Sequence, residues 1–215
     1  MSDPWNERAE LYRSSQIHAS GDDLDLVVEW CAPAEGVIAL DVATGGGHVA
    51  RRLREAGATV VTVDQAPGMQ ADTTAPAEDL PFADSSFDVV ACRIAAHHFA
   101  DAPAAVREMA RVAKDRVVVC DNTFMSEAGE EADRLRDPTH VRNYGVAEWR
   151  VFFEQAGLEV VDELELERWV EVEPWLERAG TPPEAAARVR ELIAHEVVDG
   201  KKRLPTLVIK GVKKS

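Results

Sequence analysis

The stretch "VIALDVATGGGHVA", residues 37–50, places an aliphatic run, an aspartate and three consecutive glycines directly before a segment with helical spacing. After a strand, glycines let the backbone turn sharply and approach a ligand with no Cβ in the way. The N-terminus of the following helix then offers free N–H groups and a positive dipole end. The stretch therefore predicts a strand–loop–helix unit that holds a ligand at the end of a strand.

Short aliphatic runs alternate with helical patterns through the first part of the chain, which is typical of a parallel sheet flanked by helices. Two later segments, 159–172 and 206–214, alternate as half-exposed strands do, and we expect them to pair antiparallel with a helical insertion between them. The predicted fold class is α/β, with a mostly parallel twisted sheet and an antiparallel C-terminal strand pair. The predicted parallel strands are residues 37–41, 59–64, 87–93 and 116–121.

The length of 215 residues fits a single domain, 1–215, in which residues 1–32 form an N-terminal helical cover and residues 169–200 the insertion. The segment 65–79 is too short for the usual helix, strand and connections, and Pro67 and Pro76 disfavour a regular helix. We therefore expect the helix and the strand after strand 2 to be reduced. Strand 2 would then be a sheet edge, covered by this loop or by a second copy in a homodimer.

The amino-acid composition limits the classes of partner that the protein is expected to bind. Asp and Glu number 39 against 24 Lys and Arg, and the formal charge of −15 argues against nucleic acid and anionic membranes. The three cysteines show no CxxC spacing, which indicates a reducing environment. No window reaches the length of a membrane span and no apolar leader segment is apparent, so we expect a cytoplasmic protein without membrane insertion.

The glycine loop fits two classes of ligand. Gly45, Gly47 and Ala50 match a relaxed GxGxxA dinucleotide pattern, which is a weak signal alone. Asp41 with Gly45 and Gly47 matches an acid-x-x-x-Gly-x-Gly pattern instead. A carboxylate at Asp41 would repel the pyrophosphate of a dinucleotide and would hold a cationic amino-acid moiety. We therefore favour a ligand that carries such a moiety over a dinucleotide. Asp64 ends the second strand and is expected to face the ribose of either ligand.

Three longer stretches carry a family resemblance. "LDVATGGGHVA", "AEDLPFADSSFDVVACRIAAHHF" and "DPTHVRNYGVAEWRVFFEQAGLEV" resemble the class I S-adenosylmethionine-dependent methyltransferases of the UbiE-like small-molecule group. The resemblance covers nearly the whole chain, and the combination of "LPFADSSFD" with "HHF" is its most specific part. It implies a Rossmann-like fold, S-adenosylmethionine as cofactor, and methyl transfer to an O, N or C atom of a small-molecule acceptor.

The resemblance also implies positions for the cofactor. The glycine loop would pass the methionine moiety, the acid after strand 2 would bind ribose, and the "AE" before "LPF" would lie at the adenine edge. Two departures stand out, because Ala43 replaces the first loop glycine and Pro76 replaces an aspartate that often precedes "AE". The implied cofactor residues are Asp41, Ala43, Thr44, Gly45, Gly47, Asp64, Gln65, Ala77 and Glu78. Arg93, at the exit of strand 4, is a further candidate for the methionine carboxylate or a surface residue.

Methyl transfer from a sulfonium needs alignment and exclusion of water, and it needs a general base only when the acceptor must lose a proton. His97 and His98 are the candidate catalytic residues, and the alternative is that they pack against the cofactor or cap a turn. Substrate-side groups or loop-ordering groups are predicted at His18, His140 and Arg142. We predict no metal site, since no histidine pair shows ligand spacing such as HxxxH.

Two other functions stay open from the residues. An NAD(P)-dependent oxidoreductase would use the same loop, but neither Tyr12 nor Tyr144 has a lysine at the Tyr-x-x-x-Lys offset. A module that binds S-adenosylmethionine without turnover would share every cofactor residue. The acceptor itself has no signature in the sequence.

Overall fold

The computed structural model describes residues 19–214. It is an α/β structure in which helices cover both faces of one sheet. Within the described part of the chain, no helix has the length and apolar character needed to cross a membrane. In chain order the elements are α1 (Asp22–Cys31), β1 (Ile38–Val42), α2 (His48–Glu55), β2 (Thr59–Asp64), β3 (Thr73–Thr74), β4 (Phe87–Arg93), α3 (Ala102–Val112), β5 (Ala113–Asn122), α4 (Glu127–Arg136), α5 (Val146–Gln155), β6 (Leu158–Glu171), α6 (Val172–Ala179), α7 (Pro183–Ile193), β7 (Val197–Val198) and β8 (Lys201–Lys213).

The eight strands form one sheet in the order β3-β2-β1-β4-β5-β8-β6, with β7 paired to β8. The pairs among β1 to β5 are parallel, and β8 lies antiparallel between β5 and β6. The predicted mostly parallel sheet with an antiparallel C-terminal pair is confirmed. Because β1 lies between β2 and β4, the carboxyl ends of these three strands meet at one edge of the sheet.

Each face of the sheet has its own hydrophobic cluster. On one face, Leu24 and Val27 of α1 and Leu53 of α2 pack onto the strands. On the other face, Met109 of α3 and Phe153 of α5 are completely buried. The apolar spacing in the sequence predicts each of these helices, and Asp101 caps α3 as expected, since its Oδ1 accepts from Ala104 N at 2.9 Å.

The insertion between the last two strands begins later than the sequence suggests. The predicted insertion starts at residue 169, but β6 continues to Glu171, which pairs with Lys201 of β8. The two strands form an arm that extends past the end of β5, where Asn122 pairs with Thr206. The pairing of β6 with β8 continues beyond β5 because Val170 and Leu204 are buried in a third hydrophobic cluster. Trp175 of α6 and Val189 of α7 belong to the same cluster. The two helices of the insertion are α6 and α7.

The segment after β2 is reduced, as predicted. It contains a single 3₁₀ turn, Pro67–Met69, and the two-residue strand β3, which pairs with the end of β2. The loop also covers the edge of β2 through one side chain, because Asp72 Oδ2 accepts from Thr62 N at 2.9 Å and from Thr62 Oγ1 at 2.8 Å. The loop itself satisfies this edge, so the edge gives no reason to invoke a homodimer, which stays a prediction.

Candidate cofactor-binding and active site

A crevice lies at the carboxyl ends of β1, β2 and β4. This is where open α/β sheets bind ligands. Most of the predicted cofactor residues and one of the two predicted catalytic histidines line it. These residues are Asp41, Ala43, Thr44, Gly45, Asp64, Gln65, Ala77, Arg93 and His98.

The loop after β1 is a tight left-handed turn. Ala43, Gly45 and Gly47 have φ values of 53°, 51° and 73°. The turn is closed by a hydrogen bond from Gly47 N to Thr44 O at 2.8 Å and is joined to β2 by one from Thr44 N to Val63 O at 3.1 Å. Gly47 is the N-cap of α2 and does not line the crevice, so the structure gives it a role in the turn.

Asp41 is a buried carboxylate at the floor of the crevice, with 2% of its surface exposed. Its Oδ2 accepts from Thr44 Oγ1 at 2.6 Å and from Ala50 N at 3.1 Å, so it also caps α2. Burial, with a smaller contribution from the neighbouring Asp64, raises the pKa of Asp41 to about 6 in spite of these two hydrogen bonds. The raised pKa means that burial disfavours the ionised form of Asp41. A cation bound beside Asp41 would stabilise this form.

Asp64 joins the end of β2 to the glycine loop. Its Oδ2 accepts from Gly45 N at 2.9 Å, and its Oδ1 accepts from Ala66 N at 2.9 Å. These bonds hold both carboxylate oxygens in place beside the crevice.

One end of the crevice is apolar. Met69, Ala75, Ala77 and Phe99 line it there. Glu78, predicted at the adenine edge, does not line the crevice, and its Oε1 accepts from Asp101 N at 3.2 Å instead. Met69 and Phe99 were not among the predicted site residues, although Phe99 completes the "HHF" pattern.

Arg93 lies in the crevice wall and is held by α1. Its Nε donates to Asp23 Oδ2 at 2.8 Å, and its Nη2 lies 2.7 Å from the same oxygen. Both side chains are almost fully buried, so this ion pair fixes α1 against the end of β4. No local pattern predicts the pair, because Asp23 and Arg93 are 70 residues apart.

The two neighbouring histidines have different surroundings. His98 lines the crevice, and its Nδ1 lies 3.0 Å from Thr139 O. Because a carbonyl only accepts, Nδ1 carries the proton and Nε2 carries the lone pair. Burial lowers the pKa of His98 to about 3, with His97 adding to the effect, so His98 is neutral at physiological pH.

His97 points away from the crevice into a buried contact with Asp121. Its Nδ1 lies 2.6 Å from Asp121 Oδ1, and its backbone N donates to Asp121 Oδ2 at 2.7 Å. Burial alone would lower the pKa of His97, but the charge of Asp121 raises it above its ordinary value. The His97 carbonyl also accepts from Val141 N and Arg142 N. These contacts give His97 an anchoring role between the ends of β4 and β5.

Two of the predicted substrate-side residues, His140 and Arg142, are not brought to the crevice. His140 Nε2 lies 3.1 Å from Glu130 Oε2, and both side chains are buried. Arg142 Nη2 donates to Glu148 Oε1 at 2.7 Å, and its guanidinium lies 5.1 Å from the Tyr144 ring centre. His18 lies outside the described residues. The contacts of His140 and Arg142 order the loop that follows α4.

Within residues 19–214, one group of side chains has the composition of a metal site. Possible ligand atoms of Glu130, Asp133 and His140 lie within 4.8 Å of one another. Lys202 Nζ lies 3.5 Å from Asp133 Oδ1, and Asn143 Nδ2 donates to Asp133 Oδ2 at 2.9 Å. Although burial opposes ionisation, Lys202 holds the pKa of Asp133 below its ordinary value. The lysine supplies the positive charge there, which makes this group an ion-pair network.

Ile94 is a crevice residue that the sequence does not reveal. It directly follows β4 and has φ of 52°, a conformation that β-branched residues rarely adopt. Its backbone N donates to Cys120 O at 2.7 Å, which holds it in this conformation. Strained backbone of this kind is often found at functional sites.

The fold and the crevice define an α/β protein with a ligand-sized crevice at the carboxyl ends of its parallel strands, and comparison with known proteins identifies the family. The family model described as "Methyltransferase domain" matches residues 40–120. The chain is 32% identical to the uncharacterized methyltransferase YcgJ of Bacillus subtilis, over 89% of this chain and 83% of that protein. This chain belongs to that methyltransferase family.

Two further comparisons agree with this family assignment. The crystal structure of YcgJ superimposes with a TM-score of 0.81 at 26% identity, covering 90% of this chain and 98% of that one. A demethylmenaquinone methyltransferase of Mycolicibacterium paratuberculosis is 37% identical over 41% of this chain and 43% of its own length. The resemblance inferred from the sequence is therefore confirmed, and the protein is an S-adenosylmethionine-dependent methyltransferase of the class I fold.

Proposed function

We propose that the crevice binds S-adenosylmethionine between Asp41 and Asp64, and that the methyl acceptor is a small molecule. One observation carries this proposal. The two carboxylates stand at the ends of neighbouring strands, and the Gly45 loop between them is hydrogen-bonded to one of them. The arrangement presents a buried acid to a cationic group and an anchored acid to hydroxyls in the same crevice.

The residues fit the cofactor at its methionine end. The Asp41 carboxylate has a pKa of about 6 because it is buried, so a positively charged amino group beside it would recover the energy of ionisation. A pyrophosphate would add negative charge where two acids already lie. This chemistry favours an amino-acid moiety over a dinucleotide, in agreement with the family.

The residues also fit the nucleoside. Asp64 is positioned to accept hydrogen bonds from ribose hydroxyls, and the apolar wall of Met69, Ala77 and Phe99 suits a purine ring. Glu78 is engaged with Asp101, so we assign the adenine contact to the apolar wall. Because the described segment after β2 holds only a 3₁₀ turn and a two-residue strand, we expect the adenine side to be open.

Transfer from the bound sulfonium requires the acceptor atom to be aligned and water to be excluded. Arg93 and α1 close one wall of the crevice. His98 presents a neutral imidazole whose Nε2 lone pair can accept a hydrogen bond from an acceptor hydroxyl or amine and orient it, while its pKa of about 3 makes it a poor proton acceptor. His97 positions this segment through Asp121. We therefore assign orientation of the acceptor to His98 and a positioning role to His97.

The experiment combines binding with turnover. Calorimetry on the full chain should show binding of S-adenosylhomocysteine and none of NADH. Incubation with S-adenosylmethionine and a metabolite library should then give a product heavier by one methylene group, detected by mass spectrometry. Binding of NADH alone would overturn the cofactor assignment. Binding of S-adenosylhomocysteine without turnover on any member of a broad library would instead favour a non-catalytic module.

A further inference from the structure

A second large depression lies beside the carboxyl end of β5. This groove runs between residues 123–126 and the arm that β6 and β8 form beyond the sheet. Among the described residues, none lines both this groove and the cofactor crevice. The groove is therefore a separate feature of the surface.

Large apolar side chains are exposed in the groove. Phe124, Trp169 and Val198 expose 38%, 47% and 57% of their surface, although each is of a type that usually packs inside. Apolar groups exposed together in a concave surface indicate a contact with a ligand or a partner. The two aromatic rings also offer π-faces to a cation.

The same groove is acidic. Glu165, Glu167 and Glu196 line it, and Arg203 Nη1 donates to Glu167 Oε1 at 2.7 Å, which neutralises one of the three charges. The remaining cationic candidate, His195, lies 3.5 Å from Glu196 Oε1 and is mostly exposed. The three carboxylates outnumber the one guanidinium and the one imidazole that line the groove, so the groove is acidic.

Glu196 is the residue that points to a ligand. Its side chain is only 8% exposed, and its Oε2 is buried with no hydrogen-bond partner among the described residues. A carboxylate oxygen that has lost water without gaining a hydrogen bond is costly. A positive charge in the groove would reduce this cost.

We propose that this groove binds a small organic cation with an alkylammonium head. The aromatic face of Trp169 would contact the head group, and Glu165 and Glu196 would supply the opposite charge. The groove is wide and half apolar, which suits a bulky, weakly hydrated cation better than a metal ion that needs a closed set of oxygen ligands. The inference goes beyond methyl transfer, because it uses none of the residues assigned to that reaction.

Choline and its neutral isostere 3,3-dimethyl-1-butanol test the proposal on the full chain. Calorimetry should show that choline binds at least about tenfold more tightly than the isostere, with the same affinity when S-adenosylhomocysteine saturates the crevice. Equal affinities for the two probes, or no binding of choline, would overturn the proposal. Loss of choline binding in the presence of S-adenosylhomocysteine would place the cation in the crevice and would also overturn it.

Matched variants locate the site. Glu196→Gln and Trp169→Leu should each weaken choline binding about fivefold or more, whereas Trp169→Phe and Glu184→Gln, an exposed position on α7, should retain it. Trp169 is half exposed, so we expect its variants to remain folded. Their affinity for choline therefore tests the site even if Glu196→Gln lowers the unfolding temperature. Unchanged affinity in Trp169→Leu would remove the groove as the site.

Discussion

The Asp64 carboxylate accepts a hydrogen bond from the Gly45 amide at 2.9 Å, which joins the end of β2 to the glycine loop that follows β1. The contact places the acid assigned to ribose and the loop assigned to the methionine moiety in one rigid unit. Cofactor binding and loop geometry are therefore coupled through a single side chain.

Replacing Asp64 tests the ribose assignment. We expect Asp64→Ala to weaken S-adenosylhomocysteine binding by about 2 kcal/mol or more, because charge-assisted hydrogen bonds to the ribose are lost. Asp64→Asn should have a smaller effect, since its amide oxygen can still accept from Gly45. Calorimetry measures both, and Asp79→Asn, an exposed acid nearby, is the control. An affinity in Asp64→Ala equal to that of wild type would rule out the ribose contact.

The pKa of Asp41 predicts a pH dependence of binding. In the ligand-free protein this pKa is about 6, raised by burial from 3.8, so ionisation of Asp41 costs stability as the pH rises between these values. A bound amino cation favours the ionised form. Affinity for S-adenosylhomocysteine should therefore fall as the pH drops through about 6, by up to about tenfold per unit.

Asp41→Asn provides the comparison for this pH dependence. It should bind more weakly at pH 7 and should lose the inflection near pH 6 in calorimetric titrations. His98 does not titrate in this range, because its pKa is about 3. An inflection that persists in Asp41→Asn would assign the titration to another group.

The two histidines should give different defects. His98→Ala is expected to lower kcat on a hydroxyl or amine acceptor by about a hundredfold, because the acceptor loses its alignment, while leaving S-adenosylhomocysteine affinity nearly unchanged. His97→Gln should lower the unfolding temperature, because Asp121 would lose its charged partner in a buried site. Since the pKa of His98 is about 3, wild-type turnover should show no loss from its protonation between pH 8 and 5. Full kcat in His98→Ala would exclude this role for His98.

Because the backbone at Ile94 is left-handed, we expect a glycine variant at this position to be more stable than an alanine variant, which is the reverse of the usual order. Both Ile94→Ala and Ile94→Gly lose the side chain, but only glycine adopts a φ of 52° without strain. We expect the glycine variant to be more stable by about 1 kcal/mol in urea denaturation. At Ala187, an exposed position inside α7, replacing alanine by glycine should instead lower the free energy of unfolding by about 1 kcal/mol. An alanine variant at position 94 that is the more stable one would contradict the role of strain.

The sequence alone determined the α/β order, the reduced segment after β2 and the pairing of a glycine loop with Asp41 and Asp64. These features follow from local patterns, namely aliphatic runs, glycines and prolines. The rule that parallel strands align their carboxyl ends then brings the acids of neighbouring strands together. The limits of the insertion were less predictable, because the length of β6 depends on its pairing with β8.

Only the tertiary structure decided which predicted side chains reach the crevice. It placed His98 in the wall and turned its neighbour His97 toward Asp121, and it moved His140 into a buried contact with Glu130. It also created the ion pair between Asp23 and Arg93. These contacts join residues that are distant in the chain, and their geometry depends on how helices and loops pack on the sheet. No local pattern encodes that packing, since the direction of a side chain is set by partners that only the folded chain brings near.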